Sequence, residues 1–138
     1  MIDISKKKIT KRRAVACGII SLGSKIITDI KNKKVSKGDV LSFAEAAALL
    51  AIKNTPLVIP HCHPVKITKA KINFETDENK IKVTCEVEGF DRTGFEMEAL
   101  YGVCVALLTI YDMCKVYKKE MEIKEIYLEE KSKKLKNF

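Results

Sequence analysis

Four groups of residues in this sequence have side chains and spacings suited to proton or phosphate chemistry. Asp112 and Lys115 stand three positions apart in a stretch of helical character, so both fall on one face. They form either an ordinary ion pair near a helix end, where lysine suits the helix dipole, or an acid-base pair at a partly buried edge. In the second case burial would perturb the pKa of either group, which general acid-base catalysis uses. Glu96 and Glu98 lie at the opposite end of the same helix. Thr93-Gly94-Phe95-Glu96 matches a capping box, which gives Glu96 a structural duty; Glu98 has none. Glu98 and Asp112 are 14 residues apart, or about 21 Å at ~1.5 Å per residue. They cannot line one small site within a subunit, but antiparallel pairing of the helix with its copy would bring unlike ends together.

Both histidines of the chain lie in Ile59-Pro60-His61-Cys62-His63-Pro64. One reading is a metal site of imidazole and thiolate ligands. In extended chain, however, His61 and His63 face one side and Cys62 the other, and no CxxC or further histidine completes a set. The metal expectation is therefore none. The flanking prolines would instead hold one side chain in place, or hold a surface histidine in a stiff turn. In the fourth group, Ser36-Lys37-Gly38-Asp39 leads into a helix N-terminus, which favours anions. Lys37 there would bind phosphate or transfer a proton, or else stand solvated.

The elements that must carry these groups follow from periodicity. Ala14–Leu22 reads as a strand. Ser24–Asn32 reads as a helix with Ser24 as candidate N-cap, and Asp39–Asn54 as a stronger helix capped by Asp39 and stopped by Pro56. Val65–Glu75 and Lys80–Gly89 alternate as strands around the turn Asp77-Glu78-Asn79, with Ile81, Val83, Cys85 and Val87 on one face. A helix from the capping box to about Lys118 and a strand over Glu122–Glu129 complete the order β-α-α-β-β-α-β. This predicts an α+β, ferredoxin-like split β-α-β fold, with helices on one face of an antiparallel sheet. From Ala99 to Cys114 the long helix is apolar almost all round, and a domain this small rarely buries such a helix alone, so a homo-oligomer is expected.

At 138 residues and 46% hydrophobic, the chain suits a single domain over 1–138. No uninterrupted apolar run approaches the roughly 20 residues of a membrane span. The start, Met1-Ile-Asp-Ile-Ser-Lys, has no leader pattern, and the five cysteines show no pairing motif. These readings predict a cytoplasmic protein with free thiols. The net charge is +8, of which residues 1–13 and 131–138 together hold +9 and the remainder −1. The basic ends, at about 1–12 and 131–138, are either mobile and solvated or close over a polyanionic ligand.

Taken together, five stretches resemble the cyclic pyranopterin monophosphate synthase family, also called molybdenum cofactor biosynthesis protein C. They are Met1-Ile-Asp-Ile-Ser, Lys37-Gly-Asp-Val, Ile59-Pro-His-Cys-His-Pro, Thr93-Gly-Phe-Glu-Met-Glu-Ala-Leu and Ala106-Leu-Leu-Thr-Ile-Tyr-Asp-Met-Cys-Lys. They stand in family order and cover residues 1 to about 132. The resemblance implies a ferredoxin-like fold, a hexamer built as three dimers, and a site at a dimer interface. It also implies conversion of a cyclised dihydro-GTP to cyclic pyranopterin monophosphate with release of pyrophosphate. By position, Lys37 and Lys115 match the family's catalytic lysines and Asp112 its catalytic aspartate. His63, Glu96 and Glu98 match other site residues, and Cys62 and Met97 match its substrate pocket. Arg12 matches a phosphate-binding arginine, and Lys131 the first lysine of a C-terminal Lys-Ser-Gly-Gly-Lys-Ser-Gly pattern. No cofactor, nucleic acid or membrane is implied.

The chain departs from the family at three places. The tail reads Lys131-Ser-Lys-Lys-Leu-Lys and lacks both glycines, His61 stands where the family usually has leucine, and Asp91-Arg92-Thr93-Gly94 replaces Gly-Lys-Thr-Gly. A nucleic-acid-binding module is the alternative that a basic domain of this fold allows. Its strands would need exposed stacking aromatics, and they offer Phe74, Phe90 and Tyr127 with no RNP-like cluster. An inactive relative is a third reading.

Overall fold

The structure, a computed structural model, describes residues 1–134; positions 135–138 of the basic C-terminal stretch lie outside the described residues. Along the chain come strand β1 (Thr10–Ser21), helices α1 (Ser24–Lys31) and α2 (Val40–Val58), and the hairpin β2 (Ile67–Thr76) and β3 (Lys80–Asp91). Helix α3 (Glu96–Cys114) follows, then a 3-10 turn over Lys115–Tyr117 and strand β4 (Glu122–Lys134). The strands form one antiparallel sheet in the order β2-β3-β1-β4. Each helical crossover therefore steps over one strand. The α+β class predicted from the element order is what the chain adopts.

The alternation in β3 does what its pattern dictates. Ile81, Val83, Cys85 and Val87 are fully buried on the helix-covered face. Their neighbours Glu86 and Glu88 lie on the other face, where both pair with Arg13 of β1. At the β2–β3 turn, Asp77 Oδ1 accepts the amides of Asn79 and Lys80, each at 2.8 Å. Helix α3 packs against β1, β3 and β4, and α2 packs against α3 and β2. At Gly18 of β1 a Cβ would stand 2.7 Å from both Leu107 Cδ1 and Val103 Cγ1 of α3. Both side chains are fully buried and cannot yield, so the sheet needs glycine there.

Three local expectations are corrected. Helix α2 continues through Pro56 to Val58. Proline removes the amide that would bond the Ile52 carbonyl, but the Thr55 hydroxyl lies 3.1 Å from that oxygen and supplies a donor. The capping box over Thr93–Glu96 does not form. Helix α3 begins at Glu96 after Phe95, with no side-chain cap, because Phe95 is drawn fully into the core. Ser24 is the first residue of α1 and Gly23 its cap. Asp39 does cap α2, its carboxylate accepting the Ser42 amide at 3.3 Å. Finally, α2 and the stretch Glu96–Tyr117 have the length and hydropathy of a membrane span, which counting uninterrupted apolar runs misses. In this fold each packs one face inward, α3 against the sheet and α2 against α3 and β2.

Candidate functional site

Lys37, Asp112 and Lys115 meet, although Lys37 is 75 residues from Asp112 in sequence. Lys37 sits in the loop between α1 and α2. Buried Val35 anchors that loop, and Gly38, at φ 121, turns it in a region that side chains avoid. Lys37 Nζ donates to the Asp112 carbonyl at 2.8 Å and to Asp112 Oδ2 at 3.2 Å. That carbonyl is one of the last four of α3, which have no partner within the helix, so the lysine satisfies a group the helix leaves open. Lys115 Nζ lies 3.2 Å from Asp112 Oδ1. One carboxylate thus bridges two ammonium groups.

This cluster is open to solvent, with side chains 39% exposed at Lys37, 59% at Asp112 and 60% at Lys115. The expectation of a partly buried edge is corrected. Hydrogen bonds from Lys115 and then Lys37 hold the Asp112 carboxyl below its ordinary range, and burial does not set it.

The opposite end of α3 builds a different environment. Glu98 is 1% exposed, and burial raises its pKa. Its Oε2 accepts the Cys62 thiol at 3.4 Å, while its Oε1 has no hydrogen-bond partner among the described residues. Burial, then the Glu98 charge, pushes the Cys62 thiol up to about 11, so it stays a neutral donor at neutral pH. The segment that carries it is a turn, closed by Cys62 N donating to the Ile59 carbonyl at 3.0 Å. The extended-chain reading of opposite faces therefore fails. His61, Cys62 and His63 all line one cavity of about 660 Å³, together with Met97, Glu96, Gly94 and the N-terminal residues Met1, Ile2, Ile4 and Lys7.

Three further expected site residues approach this end. Lys131 pairs in register with Ala14, and its Nζ is 3.8 Å from Glu96 Oε1. Released from capping, Glu96 faces this lysine. Arg12 lies in β1 and donates to Thr10 Oγ1 at 2.7 Å and to the Arg92 carbonyl at 3.5 Å. His63 Nε2 donates to the Ile2 carbonyl at 2.8 Å. The sequence reading allowed the basic N-terminal end, Lys7 included, to close over a polyanionic ligand, but gave Met1, Ile2 and Ile4 no place in a pocket. The signal was there in the Met1–Ser5 stretch, but nothing local says where that stretch packs. Within one chain, then, the expected residues divide into two sets. Lys37, Asp112 and Lys115 stand at one end of α3; His63, Cys62, Glu96, Met97, Glu98, Arg12 and Lys131 gather toward the other.

A family model described as the MoaC family matches residues 1–134. A Clostridium perfringens protein named cyclic pyranopterin monophosphate synthase is 47% identical over 133 residues, covering 95% of this chain and 84% of its own. Proteins of the same name from Listeria welshimeri and a Thermoanaerobacter species are each 47% identical. They cover 96% of this chain, and 83% and 85% of their own.

Proposed function

The chain belongs to the MoaC family, and from that premise we propose that it is a cyclic pyranopterin monophosphate synthase of molybdenum cofactor biosynthesis. Its substrate is cyclised dihydro-GTP, and its products are cyclic pyranopterin monophosphate and pyrophosphate. The observation that carries this reading is the Asp112 carboxylate held between Lys37 and Lys115, each at 3.2 Å.

The reaction requires attack of a ribose-derived hydroxyl on the first phosphate, loss of pyrophosphate, and proton movements as the purine-derived ring opens and rebuilds. Ionised Asp112 accepts a proton and Lys115 delivers one. Lys37, Arg12 and Lys131 neutralise charge building on the phosphates. Lys131 must leave Glu96 to do so. His63, Glu96, Cys62 and Met97, which line the cavity, hold the base, and Glu98 orients Cys62 by accepting its thiol.

Because Glu98 and Asp112 are about 21 Å apart along α3, the two residue sets belong to one site only if a second subunit supplies one of them. The active unit in this reading is a homo-oligomer, and the family resemblance implies a hexamer of three dimers. Exposed apolar side chains at Phe43, Leu50 and Leu57 of α2 and Leu108 of α3 support such packing. Five free cysteines suit a cytoplasmic setting.

The test is incubation of the purified protein with cyclised dihydro-GTP, following pterin formation and pyrophosphate release. One pyrophosphate per pterin is expected. Unchanged substrate, with the protein folded and oligomeric, would overturn the assignment.

A further inference from the structure

Asp29 of α1 is 7% exposed, one of four buried polar residues among those described. It touches both chain segments that carry the site lysines. Its backbone carbonyl accepts the Lys34 amide at 2.9 Å, at the start of the loop that leads to Lys37. Its carboxylate Oδ2 accepts the Tyr117 hydroxyl at 2.7 Å, at the end of the 3-10 turn that begins with Lys115. The same turn closes where Lys118 N donates to the Lys115 carbonyl at 3.1 Å, with Lys118 left-handed at φ 53. Beyond Lys115 the α-helix has ended, so the α-helical ladder no longer holds this short segment and the 3-10 bond is left to do so.

We propose that Asp29 and Tyr117 are positioning residues: their hydrogen bond ties the Lys115 turn to the Lys37 loop and sets how the two ammonium groups straddle Asp112. This inference rests on the assignment of Lys37, Asp112 and Lys115 as the reacting cluster. Neither Asp29 nor Tyr117 touches that cluster; they act through the backbone on either side of it. The Tyr117 ring packs against the core, and phenylalanine keeps that packing while removing the tie. Lys25 Nζ also bonds Asp29, at Oδ1 and 3.0 Å, but it belongs to α1 itself and is 79% exposed, so it ties nothing to the Lys115 turn. The pair is thus a clamp of one bond, made across 88 residues of sequence.

The experiment compares the full-length wild type with Tyr117→Phe, Asp29→Asn and Lys25→Gln, reading kcat and KM for cyclised dihydro-GTP and the thermal melt of each. Displacing a reacting group by about 1 Å can cost 10²-fold, so Tyr117→Phe should lower kcat by roughly 10- to 100-fold with KM within about twofold. Asp29→Asn keeps an oxygen that accepts the Tyr117 hydroxyl and should stay near wild-type kcat. Lys25→Gln removes a partner of Asp29 without cutting the tie and should leave kcat unchanged. An active wild type beside an equally active Tyr117→Phe overturns the clamp alone. So does a loss of kcat in Lys25→Gln equal to that in Tyr117→Phe, since it would mean that any partner of Asp29 matters equally. A folded wild type with no turnover overturns the functional assignment and this inference with it.

Discussion

Replacing Glu98 by methionine is expected to raise stability while removing activity. Glu98 is 1% exposed, one of its oxygens accepts a thiol, and the other has no partner among the described residues. A buried polar atom left unpaired costs about 1–3 kcal/mol. Methionine is unbranched like glutamate and fills the same space without either oxygen. The bond lost is a sulfur hydrogen bond, and Cys62 Sγ also lies 3.8 Å from the His63 carbonyl. The net gain should be about 1–2 kcal/mol, or a Tm higher by roughly 3–8 °C at this chain length. Turnover should fall at least about 10²-fold if the carboxyl takes part in proton transfer. Thermal melts across pH separate charge from shape, with Glu98→Gln as the isosteric neutral partner. A folded-state pKa raised by burial means that the unfolded chain loses this proton first as pH rises. Glu98 therefore withdraws stability as pH climbs from the usual carboxylate range through the folded-state value, and no further above it. The advantage of Glu98→Gln over wild type should grow as pH rises through that folded-state value and vanish in acid. A lower Tm for Glu98→Met at neutral pH, or a pH-independent difference between Glu98→Gln and wild type, would refute the reasoning.

Three other outcomes are expected. Lys115→Arg can keep the ion pair with Asp112 but cannot readily give up a proton, so it should bind substrate and form no pterin; near-normal product formation would reduce Lys115 to a fixed charge. His63→Ala should lower kcat by about 10²-fold or more, and His61→Ala should be nearly silent despite lining the same cavity; equal losses with stoichiometric zinc in the protein would favour a metal site instead. Reassembly of an equal mixture of Lys37→Ala and Arg12→Ala chains should recover up to about a quarter of wild-type activity, because half the dimers are mixed and each mixed dimer has one of two sites intact. A fully active monomer by sedimentation would sink the shared-site idea.

What the sequence disclosed depended on how local the cause was. The period-2 run of β3 and the apolar stretch of α3 were legible because burial on one face repeats along a single element. Asp39 as a cap was legible because the bond closes within three residues. Pro56 misled because the remedy for its missing amide is the Thr55 hydroxyl one position earlier, a feature the stop rule ignores. The capping box misled because Phe95 gains more from the core than the first turn gains from two side-chain bonds. Burial of the Asp112 edge was inferred from its apolar helix, yet the last turn points Met113 and Cys114 inward and leaves Asp112 and Lys115 facing solvent in the single chain. The division of the site into two ends followed from helix rise alone. By contrast, Lys131 reaches Glu96 only through the register of β4 on β1, and Tyr117 finds Asp29 only in the folded chain. No periodicity records either.

The two acids at the ends of α3 are driven in opposite directions by surroundings that the fold makes unlike. At the buried N-terminal end the Glu98 carboxyl is raised by loss of water, and a thiol rather than a cation faces it. At the exposed C-terminal end two ammonium groups hold the Asp112 carboxyl down. Two carboxyls with pKa values pushed apart are what an acid and a base at one pH require. One carboxyl keeps its proton to higher pH than an ordinary glutamate; the other is ionised and can take one. A single helix cannot bring its own two ends together. Its straightness keeps each acid in the environment that sets its role, and antiparallel pairing across a subunit interface would set the acid of one chain beside the base of the other. On that argument, oligomerisation would do more than cover Leu50 and Leu57: it would bring together two acids of opposed pKa shift that, inside one subunit, stand too far apart to share a substrate.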